Sequence, residues 1–204
     1  MRKELGWPDD SPLVLYAGRM GYVNGVSYLA KLAAYVYEKD KNIKFLVIGE
    51  GKEENEIQRV AREGGVLNRN FFMLPKVPKS QIHKYYSAAT IATALSFNEK
   101  GNYKGYMAEA NNKFFDSLAS STPLAINFDW GYAANLIKEK EIGIILDGFD
   151  LEKATDDLIS HIYNEEWLKK ASRNCKKLAI EKFSREKLVD VLEDILRRNA
   201  KPAN

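Results

Sequence analysis

The chain of 204 residues carries 31 basic and 28 acidic side chains, so its formal net charge is only +3 and nothing points to nucleic acid as a partner. Its single cysteine, Cys175, excludes an internal disulfide and a cysteine-rich metal site. No apolar run approaches the ~20 residues of a membrane span and the N-terminus lacks a signal-peptide core, so we expect a cytoplasmic protein.

Short apolar segments with little alternation predict strands of a parallel sheet, because such strands are buried on both faces. In chain order they cover residues 13–17, 43–48, 70–74, 90–95, 124–127 and 143–146. Amphipathic segments between them predict helices over residues 26–40, 53–63, 79–89 and 113–120. In the last of these, Phe115, Leu118 and Ala119 form the apolar face. The alternation predicts an α/β fold: a Rossmann-like parallel sheet of about six strands flanked by helices.

Strands end before residue 151, and the pattern beyond it predicts helices over residues 151–163 and 167–183. A last helix then follows, for which Ser184 is the predicted N-cap. Its apolar face is formed by Leu188, Leu192, Ile195 and Leu196. We expect one domain, with residues 1–12 as a leader, residues 13–150 as the alternating part and residues 151–204 as C-terminal helices.

The loops that follow the strands are the candidate ligand sites, because ligands of open parallel sheets bind beyond the carboxyl ends of the strands. The first loop contains Gly18, Arg19 and Asn24 in the stretch GRMGYVNG. Its glycines allow close approach to a ligand, and an arginine can contact two phosphate oxygens. An ordinary glycine-rich turn explains the same residues.

The second and third loops are weaker candidates. Gly49 and Gly51 precede a helix and favour either phosphate contact or a tight turn. Lys76 and Val77 lie between two prolines, which fix an extended path. The backbone of Val77 is therefore a candidate for contact with a nucleotide base, although a rigid connecting loop is the simpler interpretation.

The segment AEANNKFFDSLASSTPLAINF is the strongest candidate. Asn111, Asn112 and Lys113 lie where its helix begins, and Asp116 lies in the first turn. Amides, a lysine and the helix dipole favour an anion there, while the carboxylate can accept hydrogen bonds from ribose hydroxyls. Helix capping by an asparagine and a stabilising acid in the first turn explain the same pattern without a ligand.

Four segments in one order carry a family resemblance: LVLYAGRMGYVNGVSYL, FLVIGEGKEENEIQRVA, FFMLPKVPKSQIHKYYSAATIA and NNKFFDSLASSTPLAINF. Together they resemble the C-terminal half of a family 4 (group 1) glycosyltransferase, an enzyme with the two-domain GT-B architecture. The resemblance covers essentially the whole chain. The segment ANNKFFDSLASSTPLAIN is most similar to the subgroup that builds lipopolysaccharide O-antigen and capsule sugars.

The resemblance implies that this half binds a nucleotide-sugar donor. Arg19, preceded by Gly18, matches the family's arginine at the donor diphosphate. The backbone around Val77, with Lys76 beside it, matches the segment that contacts the base. Asp116 stands at the second acid of the family's Glu-x7-Glu motif, which binds the ribose.

The remaining correspondences concern the donor sugar, its phosphates and two departures from the family pattern. Asn111, Asn112 and Lys113 match the loop that meets the donor sugar and phosphates. The family's usual lysine before the first helix is Asn24 here, so Lys113 or another cation has to replace it. The first acid of the motif falls on Ala108, with Glu109 one position late; Glu109 either takes that role or faces solvent.

The implied activity is transfer of a sugar from an NDP-sugar, expected to be UDP-linked, to a lipid-linked or oligosaccharide acceptor. Arg19, Lys113 and Glu109 are the candidate catalytic residues, and no cofactor or metal is expected, because Asp-x-Asp is missing. We expect the acceptor-binding N-terminal half to be absent, the isolated chain to be inactive, and the parent to work in the cytoplasm or at the inner membrane face. A non-catalytic nucleotide-binding module and half of a GT-B UDP-N-acetylhexosamine epimerase are the alternatives.

Overall fold

The computed structural model of the chain describes residues 6–8, 10–96 and 110–199. Six short strands form one parallel sheet in the order β3-β2-β1-β4-β5-β6. The strands are β1 (Leu13–Ala17), β2 (Lys44–Ile48), β3 (Phe71–Leu74), β4 (Ile91–Thr93), β5 (Leu124–Ile126) and β6 (Gly143–Ile145). All six predicted strands are therefore confirmed, together with the Rossmann-like α/β fold class.

Helices cover both faces of the sheet. They are α1 (Val26–Lys39), α2 (Glu54–Glu63), α3 (Lys79–Ala88), α4 (Asn112–Ala119), α5 (Gly131–Lys140), α6 (Leu151–Ile162), α7 (Glu165–Phe183) and α8 (Arg185–Asn199). A single 3₁₀ turn, Tyr22–Asn24, precedes α1, and Gly25 then adopts the left-handed conformation at φ 60°. Parallel strands joined through helices leave the carboxyl ends of all six strands along one edge of the sheet.

The core consists of two apolar layers, one on each face of the sheet. Side chains of β1 alternate between them, with Val14 and Tyr16 in the layer under α1, α2 and α6. Leu13, Leu15 and Ala17 point to the other layer, which α3, α4, α5 and α7 cover. Every residue of β1 is buried, as expected for the central strand of a sheet covered on both faces.

Two helical details differ from the sequence prediction. Helix α5 was not predicted, because its N-cap position is Trp130, which makes no capping side-chain hydrogen bond, and it opens with a glycine. In α4 the predicted apolar face was wrong by one position: Phe114, Ser117 and Leu118 are buried. Phe115 remains 37% exposed and stacks edge-on against Phe183 of α7.

Helix α8 is amphipathic as predicted, but its apolar side chains do not reach the core. None of its described residues is buried, and six large apolar side chains are between 44% and 60% exposed: Leu188, Val189, Val191, Leu192, Ile195 and Leu196. The backbone N–H of Lys187 donates to Ser184 Oγ at 3.4 Å, so the predicted cap is present. The helix therefore presents an apolar stripe along its surface.

Candidate functional site at the sheet switch point

The strand order reverses between β1 and β4, which are neighbours in the sheet. Strands β2 and β3 continue from β1 in one direction, while β5 and β6 continue from β4 in the other. The helices that follow these two strands in the chain, α1 and α4, lie on opposite faces of the sheet. Ligands of such sheets bind at the carboxyl edge, in the crevice between the two sides. Gly18 and Arg19 directly follow β1, and α4 follows β4 in the chain.

The loop after β1 is fixed by backbone hydrogen bonds to the loop after β2. The N–H of Gly18 donates to the Ile48 carbonyl at 2.9 Å, and the N–H of Met20 donates to the Glu50 carbonyl at 2.9 Å. The N–H of Glu53 returns a bond to the Met20 carbonyl at 3.1 Å. The two loops consequently form one rigid pair at the edge of the sheet.

This pairing accounts for Gly49 and Gly51. A Cβ on Gly49 would lie 1.9 Å from the Gly18 carbonyl oxygen, and a Cβ on Gly51 would lie 2.1 Å from the Met20 carbonyl oxygen. No side chain fits at such distances. Contact between two backbones is thus sufficient to require both glycines, and the tight-turn interpretation explains them without a ligand.

Arg19 lies on the exposed side of the loop. Its carbonyl accepts a 2.7 Å hydrogen bond from the hydroxyl of Tyr16, which holds the backbone at this point. Among the residues that the structure describes, no carboxylate lies within ion-pair distance of its guanidinium. The side chain is consequently available to an anion in the crevice.

Lys113 joins the two sides of the crevice. It extends from the start of α4, and its Nζ lies 3.5 Å from Asn24 Oδ1 and 5.3 Å from the centre of the Tyr16 ring. Its Cε passes so close to Gly18 that a Cβ on that glycine would lie 2.9 Å away. Burial lowers the pKa of Lys113, because the charged ammonium loses hydration.

The asparagines before Lys113 have different surroundings. Asn111 caps α4, since its side-chain oxygen accepts bonds from the N–H groups of Lys113 at 3.1 Å and Phe114 at 3.4 Å. Asn112 is exposed on the first turn. The capping interpretation therefore accounts for Asn111, whose amide oxygen is used inside the helix.

Asp116 lies one turn further along α4 and is partly buried. Burial raises the pKa of its carboxyl, and the positive charge of Lys79 at the start of α3 opposes that rise. Its negative charge also contributes to the raised pKa of Tyr86, so the two groups are close to each other. A carboxylate in this position can accept hydrogen bonds from hydroxyl groups of a ligand.

The loop after β3 forms the far side of the edge. Lys76 makes an exposed ion pair with Glu50 at 3.1 Å, so its charge is partly engaged by the loop after β2. Val77 is half-buried and packs against the apolar layer under α3. Pro78 is the N-cap residue of α3 with ψ at 141°, which confirms the extended path expected of the prolines.

Sequence reasoning missed two features of this edge. Tyr16 was assigned only to a strand, yet its ring lies under the ammonium of Lys113 and its hydroxyl holds the Arg19 carbonyl. A cavity of about 370 Å³ also opens beside the first loop, between Gly21, Tyr28 and Asn127. The role of Tyr16 had one signal in the sequence: it is the last large residue before the Gly-Arg loop.

Ala108 and Glu109 lie outside the described residues, so the first acid of the expected motif stays a prediction. In the described part of the chain, no three His, Cys, Asp or Glu side chains are grouped as a metal site would need. No helix within those same ranges is long and apolar enough to cross a membrane.

The sequence profile of the family described as "Glycosyl transferases group 1" matches residues 1–182. The chain belongs to the group 1 glycosyltransferases. Among curated relatives, D-inositol 3-phosphate glycosyltransferase of Corynebacterium glutamicum (strain R) is 29% identical over 171 residues, which is 81% of this chain and 38% of that protein.

Two solved structures show the same fold. A mutant of S. aureus TarM in complex with fondaparinux, alpha-GlcNAc-glycerol and UDP has a TM-score of 0.77 at 18% identity, over 95% of this chain and 36% of that chain. WaaG, a glycosyltransferase involved in lipopolysaccharide biosynthesis, has a TM-score of 0.73 at 17% identity, over 95% of this chain and 49% of that chain. This group 1 glycosyltransferase chain thus spans between about a third and a half of the length of these three proteins.

Proposed function

We propose that this domain binds the nucleotide-sugar donor, a UDP-sugar, of a retaining glycosyltransferase. The observation that carries the proposal is the partly buried ammonium of Lys113, held between Gly18 and Asn24 at the switch point of the sheet. A buried cation is costly unless it is paired, and no described carboxylate pairs with it. The diphosphate of a donor is the anion that fits this place.

The chemistry asked of the domain is positioning and electrostatic stabilisation. When the glycosidic bond of the donor breaks, the leaving diphosphate gains negative charge, and fixed cations facing it lower the barrier. Arg19 supplies an exposed guanidinium and Lys113 an ammonium held by its neighbours to those oxygens. Asp116 accepts hydrogen bonds from the ribose hydroxyls, and the backbone around Val77 contacts the base.

For the whole protein we propose transfer of the sugar to a lipid-linked or oligosaccharide acceptor in O-antigen or capsule synthesis, at the inner face of the cytoplasmic membrane. The similarity of the segment 110–127 to that subgroup supports this pathway, as does the shared fold with WaaG, a glycosyltransferase involved in lipopolysaccharide biosynthesis. The Corynebacterium relative is a D-inositol 3-phosphate glycosyltransferase, so an inositol phosphate is a second acceptor class to assay.

We further propose that an acceptor-binding domain completes the enzyme. The partial coverage of each relative supports this, and so does the stripe of six exposed apolar side chains on α8, which a second domain would remove from water. The isolated domain is then a donor-binding unit without transfer activity.

Calorimetric titration of the chain with UDP, GDP and ADP in the presence of EDTA tests the donor proposal. UDP is expected to bind without a metal, and R19A and D116A are expected to weaken binding while leaving the thermal midpoint within a few degrees of native. Arg173, exposed on α7, offers R173A as the matched control for loss of an arginine far from the edge. No binding of any of the three nucleotides would refute the proposal.

A further inference from the structure

The contact between Lys113 and Asn24 connects two parts of the chain that leave the sheet in opposite directions. Asn24 ends the 3₁₀ turn after β1, and Lys113 lies in the first turn of α4, 89 residues later. The ammonium is therefore placed by α4, while the amide that meets it belongs to the loop carrying Arg19. Neither element alone determines where the charge lies.

We propose that Asn24 is a positioning residue for Lys113. One ammonium, that of Lys113 on α4, then occupies the space between positions 24 and 113 and faces the donor diphosphate. This inference rests on the proposed function of donor binding. Lys113 Nζ donates a hydrogen bond to Asn24 Oδ1, and among the described residues no other group accepts one from it. An amide oxygen orients an ammonium without neutralising it, so the positive charge stays available to phosphate oxygens.

Three contacts restrict the ammonium to this place. The Tyr16 ring lies beneath it, as in a cation–π contact. Gly18 leaves room for the methylene stem, since any larger residue would put a Cβ 2.9 Å from Cε. Asn24 closes the third side. Because the amide oxygen is 3.5 Å from Nζ, a longer basic side chain at position 24 would bring its own ammonium into the same space.

The proposal makes the charge transferable between the two positions. K113N removes the cation and should weaken UDP binding about tenfold, which corresponds to about 1.4 kcal/mol. The double variant N24K/K113N returns an ammonium from the other side of the crevice. It should recover UDP affinity to within about threefold of native, because the Coulomb interaction depends on where the charge lies and not on which helix carries it.

A second variant separates positioning from a merely structural role. N24D gives Lys113 a carboxylate partner, which stabilises the folded chain but cancels the field that the diphosphate meets. We therefore expect N24D to raise the thermal midpoint and to lower UDP affinity about tenfold, two effects of opposite sign. A structural asparagine would give changes of the same sign, or none.

The experiment is calorimetric titration of the native chain, K113N, N24K/K113N and N24D with UDP, and with uridine as the ligand that lacks phosphates. We expect K113N and N24D to bind UDP less tightly than the native chain, and the double variant to recover UDP affinity. Uridine affinity should be equal in all four. If the double variant binds UDP no better than K113N, or if N24D binds UDP as tightly as the native chain, the inference is wrong. Failure of the native chain to bind UDP would instead refute the proposed function itself.

Discussion

Replacing Gly49 by alanine should break the pairing of the first two loops. The new methyl carbon would lie 1.9 Å from the Gly18 carbonyl oxygen, whereas real Cβ atoms keep at least 3.0 Å, so the loops have to separate by about 1.1 Å. The bond from Gly18 N–H to the Ile48 carbonyl, now 2.9 Å, then lengthens to about 4 Å, beyond hydrogen-bond range.

Two contributions determine how much G49A should lower the free energy of unfolding. Gly49 has φ 151°, a backbone region in which a side chain costs about 1–3 kcal/mol. Loss of one or two backbone hydrogen bonds adds about 1 kcal/mol each. G49A should therefore lower the free energy of unfolding by about 2–5 kcal/mol. The displaced loop also carries Arg19 and supports Lys113, so UDP affinity should fall about tenfold or more.

Gly65 provides the matched control. It also has positive φ, at 69°, but a Cβ there meets nothing within 4 Å. G65A should cost only the left-handed backbone penalty of about 1–2 kcal/mol and leave UDP affinity unchanged. Urea unfolding followed by circular dichroism, with both variants and the native chain, measures the difference. If G49A proves as stable as G65A, the steric account of the loop pair is wrong.

Two further predictions concern charge and burial. Burial raises the pKa of Asp116 above its unfolded value of 3.8, so this carboxyl contributes stability below pH 3.8 that is lost as pH rises through the folded pKa. The stability of D116N relative to the native chain should therefore increase with rising pH. The same variant should bind UDP less tightly. Urea midpoints at pH 4, 5 and 7 test this, and a constant difference would contradict it. On α8, L192E should change the free energy of unfolding of the isolated chain by less than about 0.5 kcal/mol, because Leu192 is already exposed. As the control, L158A should lower that free energy by about 2–5 kcal/mol, because Leu158 is fully buried. Equal effects of these two substitutions in urea unfolding would show that α8 packs on the domain.

The strands and the fold class could be predicted from the sequence because a parallel strand covered on both faces has to be a short, nearly continuous apolar run. Helix α5 could not, since tertiary burial of its Ala133, Ala134, Leu136 and Ile137 compensates for a weak start. The apolar face of α4 was placed one residue late because Phe114 and Phe115 are adjacent, and only the position of α7 decides which of them is buried.

The candidate site was partly predictable. Parallel strands bring their carboxyl ends to one edge, so the loops after β1, β2 and β3 had to meet there. The contact between Lys113 and Asn24 could not be predicted, because it depends on how α4 is placed against a loop 89 residues away. Gly49 and Gly51 carried an ambiguous signal, since close approach of a ligand and close approach of another loop require the same residue type.

The central position of β1 has a consequence for how the chain folds. This strand comes first in the sequence, and its partner β2 follows within about 30 residues, but Val14 pairs with Ile91 of β4 on the other side. Until β4 has been synthesised and has docked, β1 is an apolar edge strand with free backbone groups, a template for pairing with another chain. A chain in which the second half of the sheet has not yet formed would therefore expose β1 to pairing with other chains.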